Sequence, residues 1–307
     1  MFNVRGRSEP SKCLPHSPRS REINFNAEHA IISNSGALTE KLEYRNPFEF
    51  IIPDQASQTT STTVHELSEA LELHKKANEG GYLWVPFLNK SAFKKILSDQ
   101  DLFRSARATI CRASSQIVYR MVGPRHEVLS RTFENLVTHS LSTMLVFEIS
   151  DHFKWLGASR YEGKHCAKEP DGTFVPGNVD VDAGWVPSMV IETGYSESLP
   201  QLRNDARWWY SNTDEQTKMI ILIHADKKPT WNVTVEMWEE VNVHDRPSTR
   251  RSGPSRDIRC TQRACVTNNG VVVDDIVIDF ALLMKRAPRP PVEGNITLDA
   301  NLLQRLR

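Results

Sequence analysis

A mixed α/β domain built on one sheet is the fold class this sequence predicts, and three observations carry it. After Gly123-Pro124, the residues Val128, Leu129, Phe133, Leu136, Val137 and Leu141 recur at helical spacing, so one long amphipathic helix should pack on a sheet. Short extended apolar runs follow, at roughly 144–149, 172–175, 188–192, 218–224 and 231–241, bounded mostly by turn residues. A single helix over 199–210 interrupts them, with Pro200 in its first turn, where a missing N–H costs nothing. Strands interleaved with helices form a layered sheet.

The remaining elements follow in chain order. Residues 1–62 are rich in Ser, Pro, Asn and Glu, carry no apolar period and end in QASQTTSTT, the composition of a flexible, disordered low-complexity arm. Thr63 with Glu66 makes a capping box, and Val64, Leu67 and Leu71 continue it, which predicts a strap helix within 63–80. The α/β domain itself is expected over 81–307. It opens with the strand YLWVPF, a small helix over 92–97 and a strand over 116–122. An Arg-rich stretch at 245–265 contains Pro, Ser and Gly without period and reads as an exposed loop insertion. A strand over 271–280 and a short helix in ITLDANLLQRL close the chain.

Composition narrows the function classes. With 307 residues and 39% hydrophobic content, the chain can bury a sizeable core. No run approaches the roughly 18 apolar residues of a bilayer span, and the first residues lack the apolar stretch of a secretory signal, so an intracellular protein of nucleus or cytoplasm is expected. Five scattered cysteines read as free thiols. Lys plus Arg and Asp plus Glu both number 38, yet the charge is unevenly placed. Residues 1–21 sum to +4 and residues 246–263 to +5, which leaves −9 for the rest. An acidic body flanked by basic segments suits a metal on the one and phosphate on the other.

The most informative constellation is Pro170-Asp171 before one strand and Glu192 at the end of the next apolar strand. Two carboxylates on adjacent strands can converge on one Mg²⁺ or Mn²⁺, which takes oxygen ligands and can polarise a phosphoryl oxygen. The competing reading for Glu192 is an ion pair to Arg203 or Arg207, because an acid in an apolar strand must be paired. Gly194-Tyr195-Ser196 has the outline of a hydrolase elbow, but Ser198 stands where the final Gly is required, and a helix-capping role for Ser196 or Ser198 fits better. The tryptophans fit core positions better than a base-stacking surface.

In order and spacing, GPRHE, GASRYEG, KEPDGTF and VIETGYSESLPQLRNDARWW resemble the PD-(D/E)XK nuclease superfamily, with its restriction-endonuclease-like mixed β-sheet flanked by helices. The resemblance is closest to uncharacterised fungal proteins of restriction-endonuclease type and runs from about residue 124 to 303. It implies metal-dependent phosphodiester hydrolysis of nucleic acid, with Asp171 and Glu192 as Mg²⁺ (or Mn²⁺) ligands and the Thr193 carbonyl beside them. Glu127 and Glu134, on the long helix, would complete the metal site, near His126. Where the superfamily usually has Lys this chain has Gly194. Its role would fall to Arg207 or Arg203, with Lys218 a third choice, while Arg246, Arg250, Arg251, Arg256, Arg259 and Arg263 would contact nucleic acid. The alternative is a catalytically inactive nuclease-fold protein that binds nucleic acid, a protein partner or a second copy of itself.

Overall fold

The computed structural model describes residues 52–53, 55–77, 81–99, 102–144, 152–177, 180, 184–195, 197–226, 231–243, 255–270 and 272–307. The arm up to residue 51, residues 145–149 of the first extended run, Ser196, and Arg246, Arg250 and Arg251 lie outside them. The architecture is mixed α/β, with sheets flanked by helices.

The first sheet holds β1 (Ser57–Gln58), β2 (Gly81–Val85), β3 (Ala106–Cys111), β4 (Gln116–Met121), β6 (Tyr161–Glu162) and β7 (Cys166–Lys168). Their order across the sheet is β1-β2-β4-β3-β7-β6. The polar tract expected to end the arm thus contributes β1, paired parallel to β2. Helices α1 (Val64–Ala77) and α2 (Lys90–Ser98) cover one face of this sheet. The capping box forms as its residue types require: Glu66 N–H donates to Thr63 Oγ1 (3.2 Å), and the Glu66 carboxylate accepts from the N–H groups of Thr62 and Thr63. Leu67 and Leu71 then enter the core of this sheet beside Ile96 and Ile117.

The second sheet holds β5 (Phe153–Trp155), β8 (Gly172–Pro176), β9 (Met189–Gly194), β10 (Met219–Ala225), β11 (Val233–Val243), β12 (Ser255–Val266) and β13 (Val272–Val273). Their order is β13-β12-β11-β10-β9-β8-β5. Neighbours are antiparallel except β9 and β10, which run parallel. Their crossover is α4 (Leu199–Asn212), capped by Ser198, whose Oγ accepts from Gln201 N–H. Helix α3 (Pro124–Met144) covers the opposite face, together with the hairpin β14 (Ile276–Ile278) and β15 (Ile296–Leu298) and helices α5 (Phe280–Met284) and α6 (Ala300–Leu303). Of the predicted α3 face, Leu129, Phe133, Leu136, Val137 and Leu141 are buried and Val128 is exposed.

Strand β10 shows why its sequence lacks alternation. Met219, Ile221 and Ile223 enter the core under α3, while Ile220 and Leu222 enter the core under α4, so both faces exclude water and the run is apolar throughout.

Two expectations are corrected. The chain makes two principal sheets rather than one, and Pro170 is where it changes sheet. Glu169 N–H donates to Ala108 O in the first sheet and Asp171 N–H to Ile191 O in the second, while the proline between them has no N–H to continue either ladder. The Arg-rich stretch is also not a loop over its second half. Residues 255–266 are the long strand β12, paired with β11 through a bulge at Met237/Trp238. Arginines at exposed strand positions carried the polarity there, and Ile258, Ala264 and Val266 carry the buried side.

Candidate functional site

The change of sheet at Pro170 delivers Asp171 to the mouth of β8, while β9 carries Glu192 as its fourth residue; both side chains are 0% exposed. Burying two carboxylates demands partners for every oxygen. Half of them come from the first sheet. Its face away from α1 and α2 carries two cross-strand rows, Tyr82–Arg120–Arg107 and Trp84–Val118–Thr109–Lys168. Three of these residues, Arg107, Arg120 and Lys168, are cations directed at the second sheet.

Arg120 holds the acid pair together. Its Nη2 lies 2.7 Å from Asp171 Oδ1 and 3.0 Å from Glu192 Oε2, and its Nε is 3.7 Å from Glu197 Oε1. Asp171 Oδ1 also meets Arg107 Nε at 3.5 Å, so two arginines that face each other across a strand pair are reconciled by one shared anion. Asp171 Oδ2 accepts the Thr193 N–H (2.7 Å) and lies 3.0 Å from His126 Nε2. Glu192 Oε1 accepts the Trp209 Nε1–H (2.6 Å) and lies 3.2 Å from Lys168 Nζ, which also binds Asp205. Three of the four carboxylate oxygens accept hydrogen bonds, and the fourth, Glu192 Oε2, has only its ion pair with Arg120.

Burial pushes the Asp171 carboxyl up, but Arg120, His126 and Arg107 together hold it well below the usual carboxylate range. Glu192 moves the other way. Burial raises it, and Lys168 and Arg120 only partly offset that, as expected when two acids share one guanidinium. His126 is raised, because Asp171 outweighs the burial that lowers it. Glu197 has no full partner, and burial pushes its carboxyl up to about 7 against the pull of Arg120.

That last shift has a measurable sign. A carboxyl that binds its proton more tightly when folded favours the fold below its ordinary value of 4.5 and loses that contribution as pH rises through about 7. Glu192, also raised from 4.5, acts in the same sense, and the raised His126 does so only above its ordinary value of 6.5. Stability from urea denaturation should therefore fall between about pH 5 and about pH 7, by up to about 1.4 kcal/mol per unit for a single group. Glu197→Gln should flatten the profile. An equally steep fall in that variant would remove Glu197 as its cause.

The sequence-predicted residues divide by location. Asp171 and Glu192 converge, and their oxygens are no farther apart than the two legs through Arg120 Nη2 allow. Thr193 meets the pair through its N–H rather than its carbonyl. His126 joins it. Glu127 reaches its rim by pairing with Arg107, and Glu134 pairs with Arg131 (2.6 Å) while crowding Gly172. Arg203 and Arg207 do not reach the acids. Their side of α4 faces β11 and β12, where Arg203 binds Glu236 and Arg207 lies over Trp238. Lys218 binds Glu240, and Arg256 and Arg263 also stand on that face. Arg259 pairs with Asp257. Trp209 is core, as its position predicts, and it also serves Glu192.

A divalent cation serving both acids would have to sit about 2.1 Å from oxygens of each, in the place the Arg120 guanidinium takes. The residues in this arrangement do not fit such an ion. Among the described residues no group of three or more His, Cys, Asp or Glu is arranged to hold a metal.

No family model matches this chain, and no curated protein matches it. Among solved structures, it is similar to a crystal structure from Anabaena variabilis ATCC 29413 named a “putative nuclease belonging to DUF820”. The identity is 10% and the TM-score 0.33, over 49% of this chain and 75% of that one. Among the described residues, no helix is long and apolar enough to cross a membrane.

Proposed function

We propose that this chain is a nuclease-like domain that binds nucleic acid without hydrolysing it at the acid pair. The observation that carries the reading is the Arg120 guanidinium held between Asp171 and Glu192 at 2.7 and 3.0 Å. A buried carboxylate pair that already shares an internal cation has its charge offset where an incoming one would have to sit. The motif resemblance over about 124–303 supports the nuclease-like part. So does the order α3, β8, β9, α4, β10, in which one sheet brings the two motif acids together.

The convergence of the two acids favours a second reading, a Mg²⁺- or Mn²⁺-dependent endonuclease in which Arg120 withdraws before the metal binds. Lys168, beside Glu192, would then be the cation nearest the phosphate. One pair of measurements separates the two. Titration calorimetry with Mn²⁺ should give no binding heat for the wild type at millimolar metal, and labelled DNA or RNA should stay intact with Mg²⁺ or Mn²⁺. Cleavage by the wild type that Glu192→Ala abolishes would establish the second reading instead.

A further inference from the structure

On its outer side, α4 stands in register with β11. Arg203 binds Glu236 (Nη2 to Oε1, 2.6 Å), Arg207 lies over the Trp238 ring (5.2 Å to its centroid), and the Tyr210 hydroxyl donates to Glu240 (2.9 Å). Steps of four and three residues on a helix and of two on a strand each advance about 5 to 7 Å, so the rungs stay aligned. Strand β12 widens the ladder. Arg263 stands opposite Glu236 and Arg256 opposite Asn242, while Lys218 joins Glu240 at 2.7 Å.

Among the described residues, four cations here, Arg203, Lys218, Arg256 and Arg263, share two acids, and Arg207 stands beside them. The acids are the inner members. The Glu236 side chain is 1% exposed and that of Glu240 15%, whereas those of Arg203 and Lys218 are 35% and those of Arg256 and Arg263 49% and 47%. What faces solvent is therefore the positive layer. Arg259 and Asp257, 3.8 Å apart at the margin, offset each other. Arg207 has no carboxylate at ion-pair distance among the described residues. It is held in a fixed position by the indole, the Arg203 carbonyl (3.5 Å) and Asn204 Oδ1 (3.4 Å), and Asp257 offsets its charge only from beyond ion-pair distance.

We propose that this α4–β11–β12 face binds the phosphate backbone of a nucleic-acid strand, an inference that rests on the binding function proposed above and locates it away from the acid pair. Guanidinium groups match phosphate bidentately, and a stacked Arg loses little freedom on binding. Contacts of this kind position a strand and carry no sequence information, so binding should be tolerant of sequence and steep in salt.

The test is fluorescence anisotropy of a labelled single strand, as DNA and as RNA, with the full chain between about 50 and about 200 mM salt. Wild-type affinity should fall steeply with salt. The double variant Arg207→Glu, Arg263→Glu should bind about tenfold more weakly or worse, with a salt slope lower by about 2, one unit for each lost phosphate contact. Lys94→Glu, on the exposed side of α2, should change neither. Should the double variant fail to fold by circular dichroism, Arg256→Glu alone, at a half-exposed side chain, must still weaken binding. A wild type that binds while these variants bind equally well overturns the assignment of the face. A folded wild type that binds neither strand at low salt overturns the proposed function itself. An acidic peptide bound as tightly as the oligonucleotide would overturn the nucleic-acid assignment and give the face to a protein partner.

Discussion

Replacing Arg120 with Ala should cost the folded state about 3–5 kcal/mol, measured as a shift of the urea denaturation midpoint at unchanged slope. The loss is that large because the guanidinium serves three carboxylates at once, those of Asp171, Glu192 and Glu197, in a place where its side chain is 5% exposed and the two nearer acids are fully buried. Removing it strands charge that water cannot reach, whereas removing an exposed ion pair costs well under 1 kcal/mol. The stranded charge can itself be removed. Arg120→Ala combined with Glu192→Gln should recover part of the loss, and the recovered part measures the coupling across the two sheets. The single variant should also gain stabilisation by Mn²⁺, which the proposed function denies the wild type, because the place between two converging carboxylates has been vacated. A cost below about 1 kcal/mol would mean that the guanidinium does not bind the acids in solution.

Helices α3 and α4 and strands β8 to β11 were legible because their periods are strong and their turns conventional, whereas the short strands β5, β6 and β7 and the Arg-bearing β12 were not. The division into two sheets was not, since nothing in local pattern says which strands pair. It turns on Pro170, which as part of a Pro-Asp pair looks like ordinary turn chemistry. The acid pair was legible for the reason that exposes any buried charge: Glu192 sits in the apolar run Met189–Gly194, where an unpartnered carboxylate is costly. The same rule would have found the partners. Arg120 lies in QIVYRM, Arg107 in ARATIC and Lys168 in CAK, each a charge inside a largely buried strand. The motif points instead to cations downstream of Glu192. Arg203 and Arg207 satisfied that expectation by position on α4 and failed it by direction. At helical spacing they lie along the side that meets Glu236 and Trp238, while Asp205, between them in sequence, turns to Lys168. Direction around a helix depends on how the helix docks, which a single sequence does not record.

Placing at Gly194 the lysine that the motif resemblance implies, by Gly194→Lys, should destabilise the chain and yield no nuclease activity. A Cβ at this position would lie 2.8 Å from Leu202 Cδ1 and 2.9 Å from Glu197 Oε2, closer than side-chain carbons approach other atoms. Leu202 is fully buried between α4 and the second sheet and cannot give way freely. The smallest probe, Gly194→Ala, should therefore cost about 1–3 kcal/mol by overpacking, and the lysine more, since its ammonium would enter a region that already holds Arg120 and Lys168. Leu202→Ala separates crowding from other causes. Alone it should cost about 2–5 kcal/mol through the cavity it leaves, but in Gly194→Ala the same cavity receives the new methyl group, so the double variant should cost less than the sum of the two. Additive costs, or a Gly194→Lys variant as stable as the wild type, would show that the contact with Leu202 is not what requires glycine. If the coupling is found, the absence of lysine has a packing cause. The cations that meet Glu192 then come from the first sheet, Arg120 on β4 at 3.0 Å and Lys168 on β7 at 3.2 Å, carried on the sheet that closes over the acids rather than on the strand that bears them.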